Sequence, residues 1–456
     1  MHINIHGKVL PVPSFFQVYN YGGGNGDKDR EIVYAELTGN TPALINYYYI
    51  NNRYPHIFSS HYFDNATDFD SVGDLYNDIR RRLIEEKHEI FTEYNSPDYD
   101  FNSKVFLLDS GAFNIVKNIA ETVEYDASRF ENELISHMKA YYDFADALKF
   151  DIVVGFDLGG KYTEKDGEKD NSKLVAFLRE LDKDRINNLL TEETIKYLKP
   201  KTNYYPKVLA TVHGYTPEAY ADCTDFILDL ERNYRYQFFG FALGGIASYK
   251  QVDKSWYEDI DFRRTGKRGI KETVTPARAV KMVRAKVGDR YIHALGCGGY
   301  PNIAMNYFSG ATSFDAASPV RRVGDGGLPS TKIVFDPTPS KIGFSKFFTG
   351  GINYDGTLRT QPCKYVKLNE VDSQMEMCGC PACREAGSVL RIKQLYAMKE
   401  TDDEANFFSR QLMGLHAVMQ HRKLCETVSS FDTMQAFCEA YPSELNQKLS
   451  IIFEQL

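Results

Sequence analysis

The stretch "KVFLLDSGAF", residues 104–113, decides the fold. A short apolar run ends on Asp109 and Ser110, passes a small-residue turn and continues as a helix-like segment. The same order of events returns in "DIVVGFDLGG" (151–160), "KVLATVHGY" (207–215), "FFGFALGGIA" (238–247), "RYIHALGCGG" (290–299) and "GATSFDAAS" (310–318). Amphipathic stretches such as "ENELISHMKAYYDFADAL" (131–148) and "PARAVKMVRAKV" (276–287) lie between them. Strands alternating with helices imply a parallel sheet. Two earlier runs, "GKVLPVPSFF" (7–16) and "PALINYYYI" (42–50), bring the strand count to eight. Eight β/α units predict an α/β fold of the TIM (β/α)8 type, with a doubly wound open sheet as the competing arrangement. In either, functional groups gather at the carboxyl ends of the strands. Those positions are Asp109, Asp157, His213, Gly244 with Gly245, Gly296 and Asp315.

The 456 residues suffice for one large domain or two ordinary ones, and 43% hydrophobic with 25% charged residues describes a globular chain with ample core. No apolar run is long enough to span a bilayer, so no membrane is expected. The first residues, "MHINIHGKVLPVPSFF", lack the basic and continuously apolar regions of a signal peptide. The cytoplasm is the expected setting, where clustered thiols bind metal more often than they pair. Net charge is −8, yet residues 263–290 hold ten Lys or Arg against only Glu272 and Asp289. Such a run is either a solvated helix face or a track for a nucleic-acid backbone.

"GGKYTEKDGEKDNSK" (159–173) is charged and glycine-containing, hence a loop. "YNYGGGNGDKD" (19–29) has the glycines of a phosphate loop but not its Lys-Ser/Thr, and reads as a lid or turn. Residues 322–363 are a Pro/Gly-rich connection, and "ANFFSRQLMGLHAVMQHRKL" (405–424) reads as an amphipathic helix. The expected organisation is a barrel with insertions over 1–360, a zinc-binding subdomain over 361–425 and a helical tail over 426–456.

Three of the chain's eight cysteines stand in "CGCPAC", as Cys378, Cys380 and Cys383. Through a tight turn these thiolates can converge on one ion. Zinc needs a fourth ligand, for which His416 on the following helix is the natural candidate and His421, Cys363 and Cys425 are competitors. An iron–sulfur cluster would need Cys363 as well. A closed zinc site is structural and does no chemistry.

Taken together, these motifs resemble the tRNA-guanine transglycosylase superfamily. "CGCPAC" followed by a helical His is similar to that family's zinc site. "LDSGAF" (108–113) resembles its Ser-Asp-Ser-Gly-Gly-Phe motif, and "GFD" (155–157) and "ALGGIA" (242–247) resemble base-pocket motifs. "FDAASPVRR" (314–322) resembles the nucleophile motif. The matches run in family order from about residue 104 to His416. The resemblance implies a TIM barrel with a late zinc subdomain, and an exchange of guanine in a nucleic acid for a 7-deazaguanine base of the preQ0 kind. It casts Asp315 as the nucleophile on the sugar C1′ and Asp109 as the proton-moving carboxylate. Splitting a glycosidic exchange into two displacements needs one ionised carboxylate and one proton shuttle. Ser110 and Asp157 match residues that bond the base edge, Gly244 and Gly245 a backbone contact to the base, and Phe113 the ring that stacks on it. Arg321 and Arg322 match the nucleic-acid-contacting end of the nucleophile motif. His213 stands where the family usually has Gln in the base pocket. Gly324 falls where the tRNA enzymes carry a second arginine. These departures bring the chain nearest the branch that inserts 7-deazaguanines into DNA, usually beside an ATPase partner protein. A tRNA-acting transglycosylase and a non-catalytic nucleic-acid-binding subunit are the alternatives.

Overall fold

In a computed structural model, eight parallel strands close into a barrel. The structure describes residues 1–19, 41–50, 66–86, 96, 98–159, 173–247, 252–262, 271–316, 327–328, 366–367, 373, 380–398, 401–442 and 444–456. The charged segment 160–172, the glycine-rich segment 20–29 and nearly all of the connection 322–363 lie outside the described residues.

The chain opens with an antiparallel hairpin, β1 (His2–Ile5) and β2 (Lys8–Pro11). The barrel strands follow: β3 (Ser14–Tyr19), β4 (Ala43–Asn46), β5 (Phe106–Asp109), β6 (Ile152–Val154), β7 (Lys207–Val212), β8 (Gly240–Leu243), β9 (Tyr291–Ala294) and β10 (Ser313–Ala316). Each pairs with its sequence neighbours, and β10 closes on β3 with Asp315 opposite Phe16. The barrel reading therefore holds and the open sheet does not. One strand starts later than its apolar run suggests. Residues 7–16 split at Pro13, leaving Lys8–Pro11 to the hairpin and starting the barrel at Ser14.

Side chains alternate across a strand, so each strand sends every second residue inward. Phe16, Leu44, Leu107, Ile152, Val154, Leu209, Ala242 and Tyr291 form the inner core. Their outward neighbours, among them Phe15, Ile45, Phe106, Leu108, Val153, Val208, Phe241 and Ile292, join the core between barrel and helices. The helices Ala127–Ala147, Lys183–Leu198, Pro217–Tyr234 and Lys271–Val287 lie on that outer face, two of them over the amphipathic stretches expected there. Inward parity continues to the strand ends at Asn46, Asp109, His213, Gly244 and Asp315, which sets these residues around the carboxyl-end mouth.

The hairpin plugs the opposite end. Ile5 and Leu10 enter the inner core. Lys8 Nζ reaches Asp151 Oδ2 at 2.8 Å and the carbonyl of Lys104 at 2.8 Å. Asp151 is fully buried and also accepts the Phe106 N–H at 2.8 Å.

Residues 405–424 are helical, within Asp403–Val428, but the helix is not amphipathic: every described side chain from Phe408 to Val418 is buried. The cause is that two bodies cover it. Phe408, Leu412, Met413 and Leu415 pack with Cys383, Val389 and Ile392, whereas Val418, Leu424 and Val428 join the barrel's outer core. His421 tilts against Phe15 of β3 at 5.0 Å between ring centroids. The helices Met434–Ala440 and Glu444–Phe453 add Phe437, Leu449 and Ile452 to that same outer core. Among the described residues no helix is long and apolar enough to cross a membrane.

Removing one partner of a buried ion pair leaves the other charge uncompensated. Lys8→Met is therefore expected to lower unfolding stability by about 3 kcal/mol. Urea denaturation checks this, and a loss under ~1 kcal/mol would mean that the hairpin plug does not depend on the pair.

Candidate active site

Asp109 closes β5 and is half-buried at the mouth. Its Oδ2 accepts the Asn46 side-chain amide at 3.1 Å and the Gly111 N–H at 3.3 Å. Asn46 is itself oriented, since its Oδ1 accepts the Tyr48 N–H at 3.0 Å. Gly111 is required here. It has φ of +64°, and a Cβ there would stand 2.1 Å from Asn46 Oδ1. Burial, then the charges of Asp157 and Asp315, push the Asp109 carboxyl up to about 7, against the opposing N–H groups of Gly111 and Ser110. Asp109 at the end of β5, Asp157 in the turn after β6 and Asp315 on β10 all stand at this end of the barrel. Ser110 is buried, with its Oγ accepting the Ala112 N–H at 3.3 Å. Phe113 lies in the first turn of the helix Ala112–Thr122, and its side chain is outside the described residues.

Asp157 stands in the turn after β6, which is anchored from both sides. The Phe156 N–H donates to Tyr142 Oη at 3.2 Å and the Leu158 N–H to Asn187 Oδ1 at 2.9 Å. Tyr141 Oη, 2.9 Å from the carbonyl of Leu108 and 2.8 Å from that of Val154, ties the ends of β5 and β6 together. His213 Nε2 lies 2.9 Å from Asp157 Oδ2. The approach lacks hydrogen-bond alignment, and neither ring nitrogen of this buried His has a hydrogen-bond partner among the described residues. Such unpartnered buried polar atoms call for an explanation, and in a barrel the carboxyl-end mouth is where functional groups gather. Gly244 packs on that ring: a Cβ would come within 3.3 Å of His213 Nδ1. Its N–H is committed to the Val212 carbonyl at 3.0 Å, so Gly245, at φ +73°, is the better candidate of the pair for a backbone contact.

Asp315 is buried on β10. Its Oδ1 accepts the Gly296 N–H at 2.7 Å and pairs with His293 Nε2 at 3.1 Å. Gly298 wraps the strand end, donating to the Asp315 carbonyl at 2.7 Å where a Cβ would collide with that carbonyl. Sequence reasoning missed Asn46 and His293. Each is a polar residue at inward parity in an apolar run, and that parity is the signal that finds them.

At the far side of the Asp403–Val428 helix, Cys380, Cys383 and His416 bring their ligand atoms within 4.8 Å of one another. His416 Nδ1 stands 3.5 Å from Cys380 Sγ and 3.4 Å from Cys383 Sγ. Two ligands on one tetrahedral zinc, at about 2.3 and 2.0–2.1 Å, stand roughly 3.5 Å apart. The group could therefore hold a metal ion. His421 is not in it. Its Nδ1 lies 2.8 Å from the carbonyl of Ala417, and burial lowers its pKa to about 4. Cys425 packs with the barrel's outer core instead. Cys378 and Cys363 lie outside the described residues, as do Arg321, Arg322 and Gly324.

Four cations of the basic stretch 263–290 pair within the fold, whereas Lys281 is exposed and Arg263, Arg264, Lys267 and Arg268 lie outside the described residues. Arg278 forks onto Asp259 at 2.8 and 3.0 Å, Lys286 meets Asp225 at 2.5 Å, and Arg290 binds Glu231 at 2.6 and 2.7 Å. Arg284 donates to the carbonyls of Gly310 and Arg290, at the amino-terminal ends of β10 and β9 and so at the rim opposite Asp109. These cations stitch helices to the barrel; the track reading has no support from them. No family model matches the chain, and no curated protein matches it.

Asp109 titrates near 7 in the folded chain and near 3.8 when exposed, so the folded state holds the extra proton between those values. Stability falls as pH rises through that window. Asp109→Asn removes the decline. The variant is expected to melt near the wild-type temperature at pH 4 and several degrees above it at pH 8, measured by calorimetry. An equal difference at both values would place the carboxyl's titration elsewhere.

Proposed function

We propose that the chain is a transglycosylase that exchanges guanine in DNA for a 7-deazaguanine through a covalent aspartyl intermediate. The supporting observation is the carboxyl of Asp109, pushed up to about 7 within electrostatic reach of Asp315, a carboxylate gripped, among the described residues, through one oxygen. A group titrating there can give and take a proton at neutral pH. In the first displacement Asp315 Oδ2 bonds to C1′ while the bond from C1′ to the base nitrogen breaks. Its electron pair leaves with guanine, which takes the Asp109 proton. In the second, Asp109 removes the proton from the incoming 7-deazaguanine and that nitrogen attacks C1′. The ester bond breaks and its electron pair returns to Asp315. Two displacements retain the sugar configuration. The unaligned Asp157–His213 pair, with Ser110 and Gly245, suits the polar edge of a purine, whose donors and acceptors would give the His213 ring nitrogens hydrogen-bond partners.

DNA is favoured over tRNA by His213 and Gly324, the two departures from the tRNA-acting pattern. A target base paired in duplex must be flipped out, at the cost of unpairing. An ATPase partner that opens the duplex fits this requirement, and Arg321 and Arg322 are assigned to the nucleic-acid backbone. Zinc, held by Cys378, Cys380, Cys383 and His416, is the proposed metal. It would staple the late helices to the Asp403–Val428 helix, with no part in the exchange.

Labelled 7-deazaguanine, supplied with plasmid DNA or bulk tRNA and with or without cell extract, tests the polymer. Label should enter DNA, more strongly with extract, and Asp315→Asn should abolish it while retaining the metal. Label in tRNA alone under both conditions would promote the tRNA enzyme.

Elemental analysis should find one zinc per chain, lost in Cys383→Ser. Iron with acid-labile sulfide would overturn the zinc assignment.

A further inference from the structure

We infer that His293 is the positioning residue of the nucleophile: with Ser313 and Tyr291 behind it, it holds Oδ1 of Asp315 and leaves Oδ2 for attack. The inference rests on the transglycosylase reading and adds to it a residue that no motif supplies. Its basis is a continuous polar chain inside the barrel. Tyr291 Oη lies 2.6 Å from Ser313 Oγ, Ser313 Oγ lies 2.7 Å from His293 Nδ1, and His293 Nε2 lies 3.1 Å from Asp315 Oδ1. All four residues have inward parity on adjacent strands, and β9 and β10 register His293 opposite Ser313. His293 is fully buried, with Phe16 standing edge-on to its ring at 5.5 Å and 88°.

The chain has one self-consistent direction for a neutral imidazole. A carboxylate only accepts, so Nε2 carries the proton and donates to Asp315. Nδ1 must then accept, so the Ser313 hydroxyl donates to it and accepts from Tyr291. Every hydrogen points toward Asp315. The Gly296 N–H meets the same oxygen at 2.7 Å, and among the described residues no group hydrogen-bonds Oδ2. One oxygen is thus anchored twice. A carboxylate that kept rotational freedom would present its lone pairs to C1′ in a small fraction of encounters, and misplacement by about 1 Å can cost on the order of 10²-fold in rate.

The test measures wild type and His293→Leu, His293→Gln and Ser313→Ala for three properties. These are formation of the covalent adduct with a guanine-containing oligonucleotide, oligonucleotide affinity, and melting temperature with zinc content. His293→Leu should slow adduct formation about 100-fold at unchanged affinity. His293→Gln, which restores an N–H donor, should recover at least about tenfold of that loss. Ser313→Ala should fall between them. Adduct formation at the wild-type rate in His293→Leu, or Gln no better than Leu in folded, zinc-loaded protein, would overturn the inference. Nitrogen-15 NMR of the histidine rings supplies a readout that does not depend on activity. His293 should be the Nε2-protonated tautomer, and Ser313→Ala should shift it. A wild-type Nδ1-protonated ring, or one indifferent to Ser313→Ala, would also overturn it. Absence of any adduct in wild type would instead count against the transglycosylase reading, with the tautomer still deciding the role of His293.

Discussion

Three carboxylates compete for one barrel mouth, and the surrounding structure follows from that crowding. Like charges close together in a poorly hydrated site cannot all be ionised at little cost. The fold resolves the conflict unequally. Burial, then the charges of Asp157 and Asp315, move the Asp109 carboxyl to about 7. Asp315 is held on one oxygen by His293 and Gly296, and Asp157 stands 2.9 Å from His213. Three different environments thus surround three chemically identical groups at one end of the barrel.

The barrel supports this arrangement from its opposite end. The hairpin covers the amino-terminal end through Ile5, Leu10 and the Lys8–Asp151 pair. The helix Asp403–Val428 carries His416 beside Cys380 and Cys383, and His421 against Phe15 of β3. β3 is hydrogen-bonded to β10, the strand of Asp315. The Cys380, Cys383 and His416 group is therefore linked to the strand of Asp315 through a single helix and β3.

The strand ends were legible because a polar residue closing an apolar run is rare enough to notice. "FLLD", "GFD" and "SFDA" mark Asp109, Asp157 and Asp315 in that way, and all three stand at the carboxyl end of the barrel. Asn46 escaped because "ALIN" runs into three tyrosines, so its apolar run has no visible end. His293 escaped because it lies within a strand, one step before the last residue of β9, where only inward parity distinguishes it. The pairings within the basic stretch were hidden for a different reason. Its described cations find partners at Glu231, Asp225 and Asp259, and nothing local in the sequence announces pairings across separate helices and loops. The burial of residues 408–418 within the Asp403–Val428 helix was hidden likewise, since Ser409, Arg410 and Gln411 read as a solvent face until a second body covers them.

The account stands or falls on a covalent bond at one oxygen. The direct measurement is peptide mass spectrometry of protein trapped during turnover with a guanine-containing oligonucleotide. The account predicts a peptide containing Asp315 that carries the sugar–phosphate remnant of the substrate, with guanine released in equal amount. Guanine release with no modified peptide, or a remnant on Asp109 or Asp157 instead, would contradict it.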